Sequence, residues 1–599
     1  MFRRNFLFGA DSDTANIIGV TAEDLYRSDK GYGFVTEQNR REQELLRISE
    51  LNAGFDTVYW YQDEDLSRIE SDEDGCCLDS DAMINRLKKI TGEEMLGEHR
   101  RIPLSFKVHV PRQGNYRVTV TIKAGEEMKE LLIFTGRRRL AYRGSLAAGE
   151  DFRHTAIVNV CDIVPRGKNR IYTDKTLDLT VVADKPRLSA VTVTETLCPT
   201  IYIAGDSTLT DQSADYPYAP GTSYSGWGQM LTAFLTEDIA VSNHSHSGLT
   251  TESFRKEGHY AVIDQYSKPR DFFFFQFGHN DQKLEELKAR EGYFNNLFRY
   301  IRECREKGAH PVLVTPVARN SWKGNDGTYN DLLAEYAQAC LEIGELTDTP
   351  VLDLHKVSMD FIRKQGLESV KGYFYPQDFT HNNDYGAYRM ARFVAREMVR
   401  VCGGRMEADY SFLAKCVTEG YGEWLPPENI VLPVKPKIYE EMTNPFQGAE
   451  LFAEVEKLDA PADRATALDM IIKAARFFPT NVYNDMYVDV IGHEWYAGTV
   501  ECAYQNGIIQ EELTQNGRLY PEQDITMEEF LVFAMNGYKS RKHLPKEEPC
   551  VYDKACHDFT RPYVRAACRI GLLPADGGVD LTKKITRGQA VSLCRAMGI

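Results

Sequence analysis

Thr200-Ile-Tyr-Ile-Ala-Gly-Asp-Ser-Thr208 decides the reading of this chain. A short apolar run that stops at Gly-Asp-Ser has the form of a buried strand leaving a sheet through a tight turn. Outward from it the same form recurs at Ile239-Ala-Val-Ser242, Phe272-Phe-Phe-Phe-Gln-Phe277, Pro311-Val-Leu-Val-Thr-Pro-Val317 and Val351-Leu-Asp-Leu354. Continuous rather than alternating apolar character predicts strands covered on both faces, as in a parallel sheet between helical layers. Amphipathic stretches at 292–307, 329–345 and 384–401 supply the helices. The phenylalanine run reads as a buried central strand rather than a ligand box. These segments predict an α/β domain over residues 196–402.

The flanks read differently. Within residues 1–195, Ile102-Pro-Leu-Ser-Phe-Lys-Val-His-Val110, Tyr116-Arg-Val-Thr-Val-Thr-Ile122 and Leu177-Asp-Leu-Thr-Val-Val-Ala183 alternate with period two. That is the pattern of an antiparallel β-sandwich with one wet face per sheet. Pro111-Arg-Gln-Gly-Asn115 supplies turn chemistry, so the strands on either side of it are expected to form a hairpin. The acidic stretch 37–96 is expected to be a helical insertion with a surface loop. Residues 403–447, with Pro426-Pro427, Pro433, Pro436 and Pro445, read as a linker. The remainder, 448–599, is expected to be mostly α-helical. There Tyr487-Val-Asp-Val…Leu519-Tyr-Pro…Ile525-Thr is echoed about seventy residues later by Pro562-Tyr-Val-Arg…Ile585-Thr-Arg587, with a truncated unit at Asp463-Arg-Ala-Thr. Such repeats bury a face only by stacking.

A chain of 599 residues exceeds one core several-fold, which predicts about three or four domains. With 43% hydrophobic and 27% charged residues it has the composition of an ordinary globular protein. A formal charge of −17 excludes a sequence-independent grip on nucleic acid or an anionic membrane. Arg137-Arg138-Arg139 is too short a cluster to reverse this. The thirteen cysteines follow no disulfide or zinc-ribbon spacing and are expected to be reduced core residues. No stretch approaches the ~18 apolar residues of a membrane span, and the N-terminal apolar run is too short for a signal h-region. As written the chain is expected to be cytoplasmic; a leader removed from it would make it secreted or wall-attached.

Four short blocks carry the chemistry: Gly205-Asp-Ser207, Gly248, Gly278-His-Asn-Asp281 and Asp378-Phe-Thr-His381. Serine is a poor nucleophile without a positioned base, and His381 is the candidate base. Asp378, three residues earlier, can face the other imidazole nitrogen and hold its tautomer. The candidate triad is therefore Ser207, Asp378 and His381. For a developing oxyanion the candidate donors are the Ser207 amide, the Gly248 amide and the Asn280 side-chain amide.

These blocks, with the downstream Ser225-Gly-Trp-Gly-Gln229, resemble the SGNH, or GDSL, hydrolases, and within them the rhamnogalacturonan acetylesterases of carbohydrate esterase family 12. The resemblance covers about 200–400. It implies a three-layer flavodoxin-like fold and removal of O-acetyl groups from a plant cell-wall polysaccharide or oligosaccharide, with no metal and no other cofactor. Phe6-Leu-Phe-Gly9, Gly31-Tyr-Gly-Phe34 and Phe106-Lys-Val-His-Val-Pro-Arg-Gln-Gly-Asn-Tyr116 resemble a galactose-binding-like jelly roll. The repeats of 448–599 resemble S-layer homology units. Only Ile585-Thr-Arg587 keeps that family's Ile-Thr-Arg signature, so packing or homo-oligomerisation is the role expected of this region rather than wall anchoring.

Trp227, His244 and His279 are the candidate substrate-side residues. Trp227 either stacks on a sugar or fills core. His244 and His246 lack further ligands nearby and read as cleft histidines rather than a metal pair. Asp206 and Asp281 are expected to orient turns rather than to act as a glycosidase pair. The net negative charge opposes a polyanionic, galacturonate-containing substrate at long range, which keeps neutral acetylated xylan or mannan fragments as the alternative. A carbohydrate- or wall-binding protein with weak esterase activity is the alternative of a different class.

Overall fold

The computed structural model describes residues 2–10, 14, 16–36, 55–57, 68–91, 100–164, 171–323, 328–376, 378–427, 452, 455–477, 487–490 and 494–598. Most of the expected insertion at 37–96 and the second half of the expected linker lie outside them. The chain divides into two compact units. The first comprises residues 1–318, 333–376 and 380–433; the second comprises 319–332, 377–379 and 434–599.

Among the described residues the first unit holds three five-stranded sheets, two of them mainly antiparallel and one parallel, beside two smaller sheets. The strands of the two mainly antiparallel sheets are β1 (Arg3–Phe8), β2 (Ile18–Val20), β3 (Tyr32–Val35), β4 (Leu104–His109), β5 (Gly114–Lys123), β6 (Met128–Thr135), β7 (Arg139–Leu146), β8 (Asp151–Val160), β9 (Thr176–Val182) and β10 (Ala190–Thr196). They are ordered β8-β5-β10-β1-β2 and β7-β6-β9-β4-β3. Alternation does what it predicts along β5, where Tyr116, Val118, Val120 and Ile122 are buried between less buried neighbours, whereas β4 is buried on both faces up to its last residue, Lys107 included, so the expected wet face is missing there. Rings from the two sheets interlock, Phe6 lying 5.3 Å and Phe8 4.9 Å from Phe106.

The hairpin expected across Pro111-Asn115 does not form. β4 pairs with β9 and β3 in one sheet, whereas β5 pairs with β8 and β10 in the other. The turn is a crossover between sheets, and the Tyr116 hydroxyl clamps it by donating back to the Arg112 carbonyl at 2.6 Å. A corner tyrosine of this kind is not visible in a period-two pattern.

The parallel sheet consists of β11 (Thr200–Gly205), β12 (Ala240–Asn243), β13 (Phe272–Gln276), β14 (His310–Val314) and β15 (Val351–Leu352). Its order is β12-β11-β13-β14-β15 with every pairing parallel, which is the flavodoxin-like 2-1-3-4-5 arrangement. Every residue of β13 is buried at the centre of this sheet. Helices α1 (His259–Tyr266), α2 (Gly292–Glu306), α3 (Ala334–Thr347), α4 (Leu354–Gln365) and α5 (Asp384–Cys402) accompany it. The helix expected from 329 begins at Ala334, because Thr328–Tyr329 pairs instead with Trp322–Lys323. The expected linker is structured at its start: α6 (Ala408–Lys415) is fastened by the Tyr410 hydroxyl, which donates to the Pro311 carbonyl at 2.9 Å, and by Asp409 bonded to Arg270.

The second unit contains five α-helices among the described residues. Helices α7 (Arg464–Ala474), α9 (Met527–Lys539) and α11 (Arg587–Ala596) follow the capping residues Asp463, Thr526 and Thr586, and between them lie α8 (Ala497–Gln505) and α10 (Arg561–Arg569). Just before the caps, three backbone bonds close a ring: Ala462 N–H to Ile585 carbonyl at 2.9 Å, Ile585 N–H to Ile525 carbonyl at 3.0 Å and Ile525 N–H to Ala462 carbonyl at 3.0 Å. These bonds tie together the three segments that precede the caps. Arg464 occupies the place after its cap that Arg587 occupies, but it is buried, donating to the Leu513 and Leu519 carbonyls and pairing with Glu529. All thirteen cysteines are free and most are buried.

His244, at the exit of β12, is wholly enclosed. Burial, with the Arg137, His259 and Arg139 charges, holds its imidazole well below the usual range. Unfolding frees it to take up a proton below about pH 6.5, so the unfolded state binds more protons there and stability must fall as pH falls through that window. Urea midpoints at pH 7 and pH 5 should show this loss, and His244→Gln should reduce the difference between them.

Candidate active site

β11, β12 and β13 all deliver their carboxyl ends to one edge of the sheet, where ligands meet open α/β folds. After β11 the chain turns at Asp206, whose carboxylate accepts from the Thr208 amide at 3.0 Å and hydroxyl at 2.8 Å. The turn presents Ser207, with its Oγ 2.8 Å from His381 Nε2. The side-chain amide of Gln212 donates to the Ser207 carbonyl at 3.3 Å and the Ser247 hydroxyl at 3.2 Å, joining the Ser207 turn to the Gly248 loop.

Gly248 sits at φ +86, a conformation that side chains disfavour, with open space where a Cβ would be. Gly278, at φ +131, turns the chain after β13 into a conformation that side chains disfavour. Beyond it, one Asn280 amide hydrogen is donated to the Leu249 carbonyl at 3.0 Å; the other can serve an oxyanion. Asp281 braces this turn from below, accepting from the Thr251 amide and hydroxyl and from the Gly278 amide. Burial pushes its carboxyl up to about 7, against these hydrogen bonds and with the Asp206 charge adding to the rise.

The His381 segment is held by asparagines. Asn383 caps α5 by accepting from the Gly386 amide at 3.1 Å and donates to the Gly372 and Phe374 carbonyls. The Ser225 amide donates to the Asn382 carbonyl at 3.0 Å. Asp378 is buried three residues before His381, and the next carbonyl, of Phe379, accepts from the Asn320 amide at 2.8 Å.

The other candidates fall elsewhere. Trp227 is 0% exposed and its indole donates to the Gln276 side chain at 2.8 Å, so of its two readings the structure takes the core one: no sugar can reach it. His244 is not a cleft residue either; it is buried with Nε2 2.9 Å from the Ser242 hydroxyl. His279 points inward, Nδ1 3.3 Å from the Asp206 carboxylate. Burial would raise the Asp206 carboxyl, but the His279 imidazole and Thr208 keep it lowered. These three side chains are screened from the cleft because each finds its polar partner inside. Sequence reading missed Tyr224 and Tyr375, stacked with ring centroids 3.6 Å apart, Tyr224 meeting His381 edge-on at 5.8 Å. No spacing in the chain signals that pair.

A serine hydroxyl within reach of an imidazole at the open edge of a flavodoxin-like sheet is the arrangement of a serine-dependent hydrolase. Residues 203–387 match the GDSL-like lipase/acylhydrolase family. The probable rhamnogalacturonan acetylesterase YesY of Bacillus subtilis (strain 168) is 34% identical over 204 residues, 33% of this chain and 90% of that protein. The rhamnogalacturonan acetylesterase RhgT of the same organism is 34% identical over 209 residues, 33% of this chain and 87% of that protein. Its uncharacterized esterase YxiM is 28% identical over 407 residues, 66% of this chain and 90% of that protein. The chain belongs to the GDSL-like lipase/acylhydrolase family.

Trp227→Phe, which keeps a ring but loses the bond to Gln276, should lower stability by about 1–3 kcal/mol in urea unfolding and leave KM unchanged. A raised KM at parental stability would put the ring against substrate instead.

Proposed function

We propose that the chain is a serine carbohydrate acetylesterase whose triad is Ser207, His381 and Asp378. The single observation that carries this is the 2.8 Å approach of Ser207 Oγ to His381 Nε2 at the sheet edge. His381 takes the hydroxyl proton as Ser207 Oγ attacks the acetyl carbonyl, and Asp378 keeps the imidazole in the accepting tautomer. The Ser207 and Gly248 amides and the free Asn280 amide hydrogen stabilise the oxyanion, each worth roughly 3–4 kcal/mol where such donors have been removed. His381 then gives its proton to the departing sugar oxygen, leaving an acetyl-enzyme. Water, deprotonated by the same imidazole, cleaves that ester, releases acetate and restores Ser207.

The substrate we assign is an O-acetylated oligosaccharide or polysaccharide of the rhamnogalacturonan type, supported by the names of the two relatives at 34% identity. The formal charge of −17 favours a second reading, neutral acetylated xylan or mannan fragments. Incubation with acetylated pectin, xylan and mannan oligosaccharides, with acetyl loss read by mass, decides between them.

Ser207→Ala should lower kcat for p-nitrophenyl acetate by about 10³-fold or more while leaving binding largely intact; parental acetate release by that variant refutes the assignment. Because the base must be neutral, and an unperturbed imidazole titrates near ~6.5, the rate should fall on acidification below about that pH. A flat profile from pH 5 to 8 counts against an imidazole base.

A further inference from the structure

We propose that Arg138, in the turn between β6 and β7 of the sandwich, is a positioning residue for the esterase reaction, holding the loop of His381 in register with Ser207. The proposal rests on the assignment of Ser207 and His381 as nucleophile and base.

Arg138 stands at φ 56, a left-handed conformation that a residue with a side chain keeps only where its surroundings dictate it. Its side chain passes the Phe134 ring of β6, with the guanidinium carbon 5.8 Å from the ring centroid, and reaches beyond its own sheet. Nη1 donates to both carboxylate oxygens of Asp384, at 2.9 and 2.8 Å, and both side chains of the pair are 0% exposed. Asp384 is the first residue of α5, directly after the Asn383 cap and three residues after His381. The Tyr218 hydroxyl also donates to Asp384. From the other side, Arg138 Nη2 donates to the Tyr224 carbonyl at 2.6 Å and the Gln229 side chain at 3.2 Å. Tyr224 is the residue whose ring meets His381 edge-on. One guanidinium thus fixes the helix that follows the imidazole and the strand of chain that borders it.

The flanking arginines extend the grip. Arg139 donates to Asp211 at 2.9 Å and to the Val241 carbonyl at 2.7 Å. Arg137 donates to the carbonyl of Asn243, where the loop to Gly248 begins, at 3.3 Å. Three consecutive side chains of one sandwich turn therefore reach segments flanking the base, the nucleophile and an oxyanion donor. A buried ion pair is weak evidence for stability, since apolar side chains of the same volume often serve as well. What a forked guanidinium adds is direction, and reaction rate is sensitive to displacements of about 1 Å.

The test uses the full chain, with Arg138→Met and Arg138→Lys beside His381→Ala. The kcat and KM for p-nitrophenyl acetate are measured across pH and corrected for folded fraction by near-ultraviolet circular dichroism. Arg138→Met should lower kcat about 10- to 100-fold with KM unchanged and shift the acidic limb of the kcat/KM profile, and Arg138→Lys should restore part of the loss. Arg138→Lys keeps the charge and carries the test should Arg138→Met not fold. If a folded Arg138 variant turns over within about twofold of the parent while His381→Ala is inactive, the positioning role falls and the triad stands. If His381→Ala itself keeps the parental rate, the triad assignment falls and the positioning role falls with it.

Discussion

The first unit depends on a charge pair that has left water completely. Placing Arg138 and Asp384 where neither is exposed costs several kcal/mol per ion. That cost is offset only when the remaining hydrogen-bond capacity is filled, and all three guanidinium nitrogens are engaged: Nε with the Gln212 carbonyl, Nη1 with Asp384, and Nη2 with Tyr224 and Gln229. A pair held this way tolerates few alternative arrangements. The β6–β7 turn, the start of α5 and the chain around Tyr224 are therefore fixed relative to one another by the same few bonds. This explains why the two facing sheets and the parallel sheet fall within one compact unit.

Beneath Ser207 lies a second buried polar layer. His279 Nδ1 lies 3.3 Å from the Asp206 carboxylate, and Asp281 accepts from Thr251 and from the Gly278 amide, below the turns that carry Ser207 and Asn280. Buried hydrogen bonds of this kind stiffen the turns that they join. Rigid turns are what an oxyanion site needs, since its donors act without reorganising during reaction.

Much of this was legible in the chain. Ile201–Ala204 and Phe272–Phe275 read as buried parallel strands because each residue carries its own burial in its side chain, and the blocks at Ser207, Gly248, Asn280 and His381 stood out because turns restrict which residues they admit. The period-two runs of β4, β5 and β9 were equally plain. Pairing was not: whether Pro111-Asn115 closes a hairpin or crosses between sheets depends on partners some fifty residues away. Arg137-Arg138-Arg139 read only as a cluster too short to offset the net charge, because nothing adjacent in sequence says that carboxylates at 211 and 384 await it.

By itself the sequence determined the strand and helix types, the parallel α/β class and the residue kinds available for acyl transfer, all properties written in neighbouring side chains through local sterics and hydrophobic periodicity. The tertiary structure alone decided which polar residues face the cleft and which turn inward. It sent Trp227, His244 and His279 into the interior and brought Tyr224 to His381. The physical reason is that the burial of a polar group is settled by its partner, and these partners are supplied by chain segments that come together only when the sheets fold onto one another.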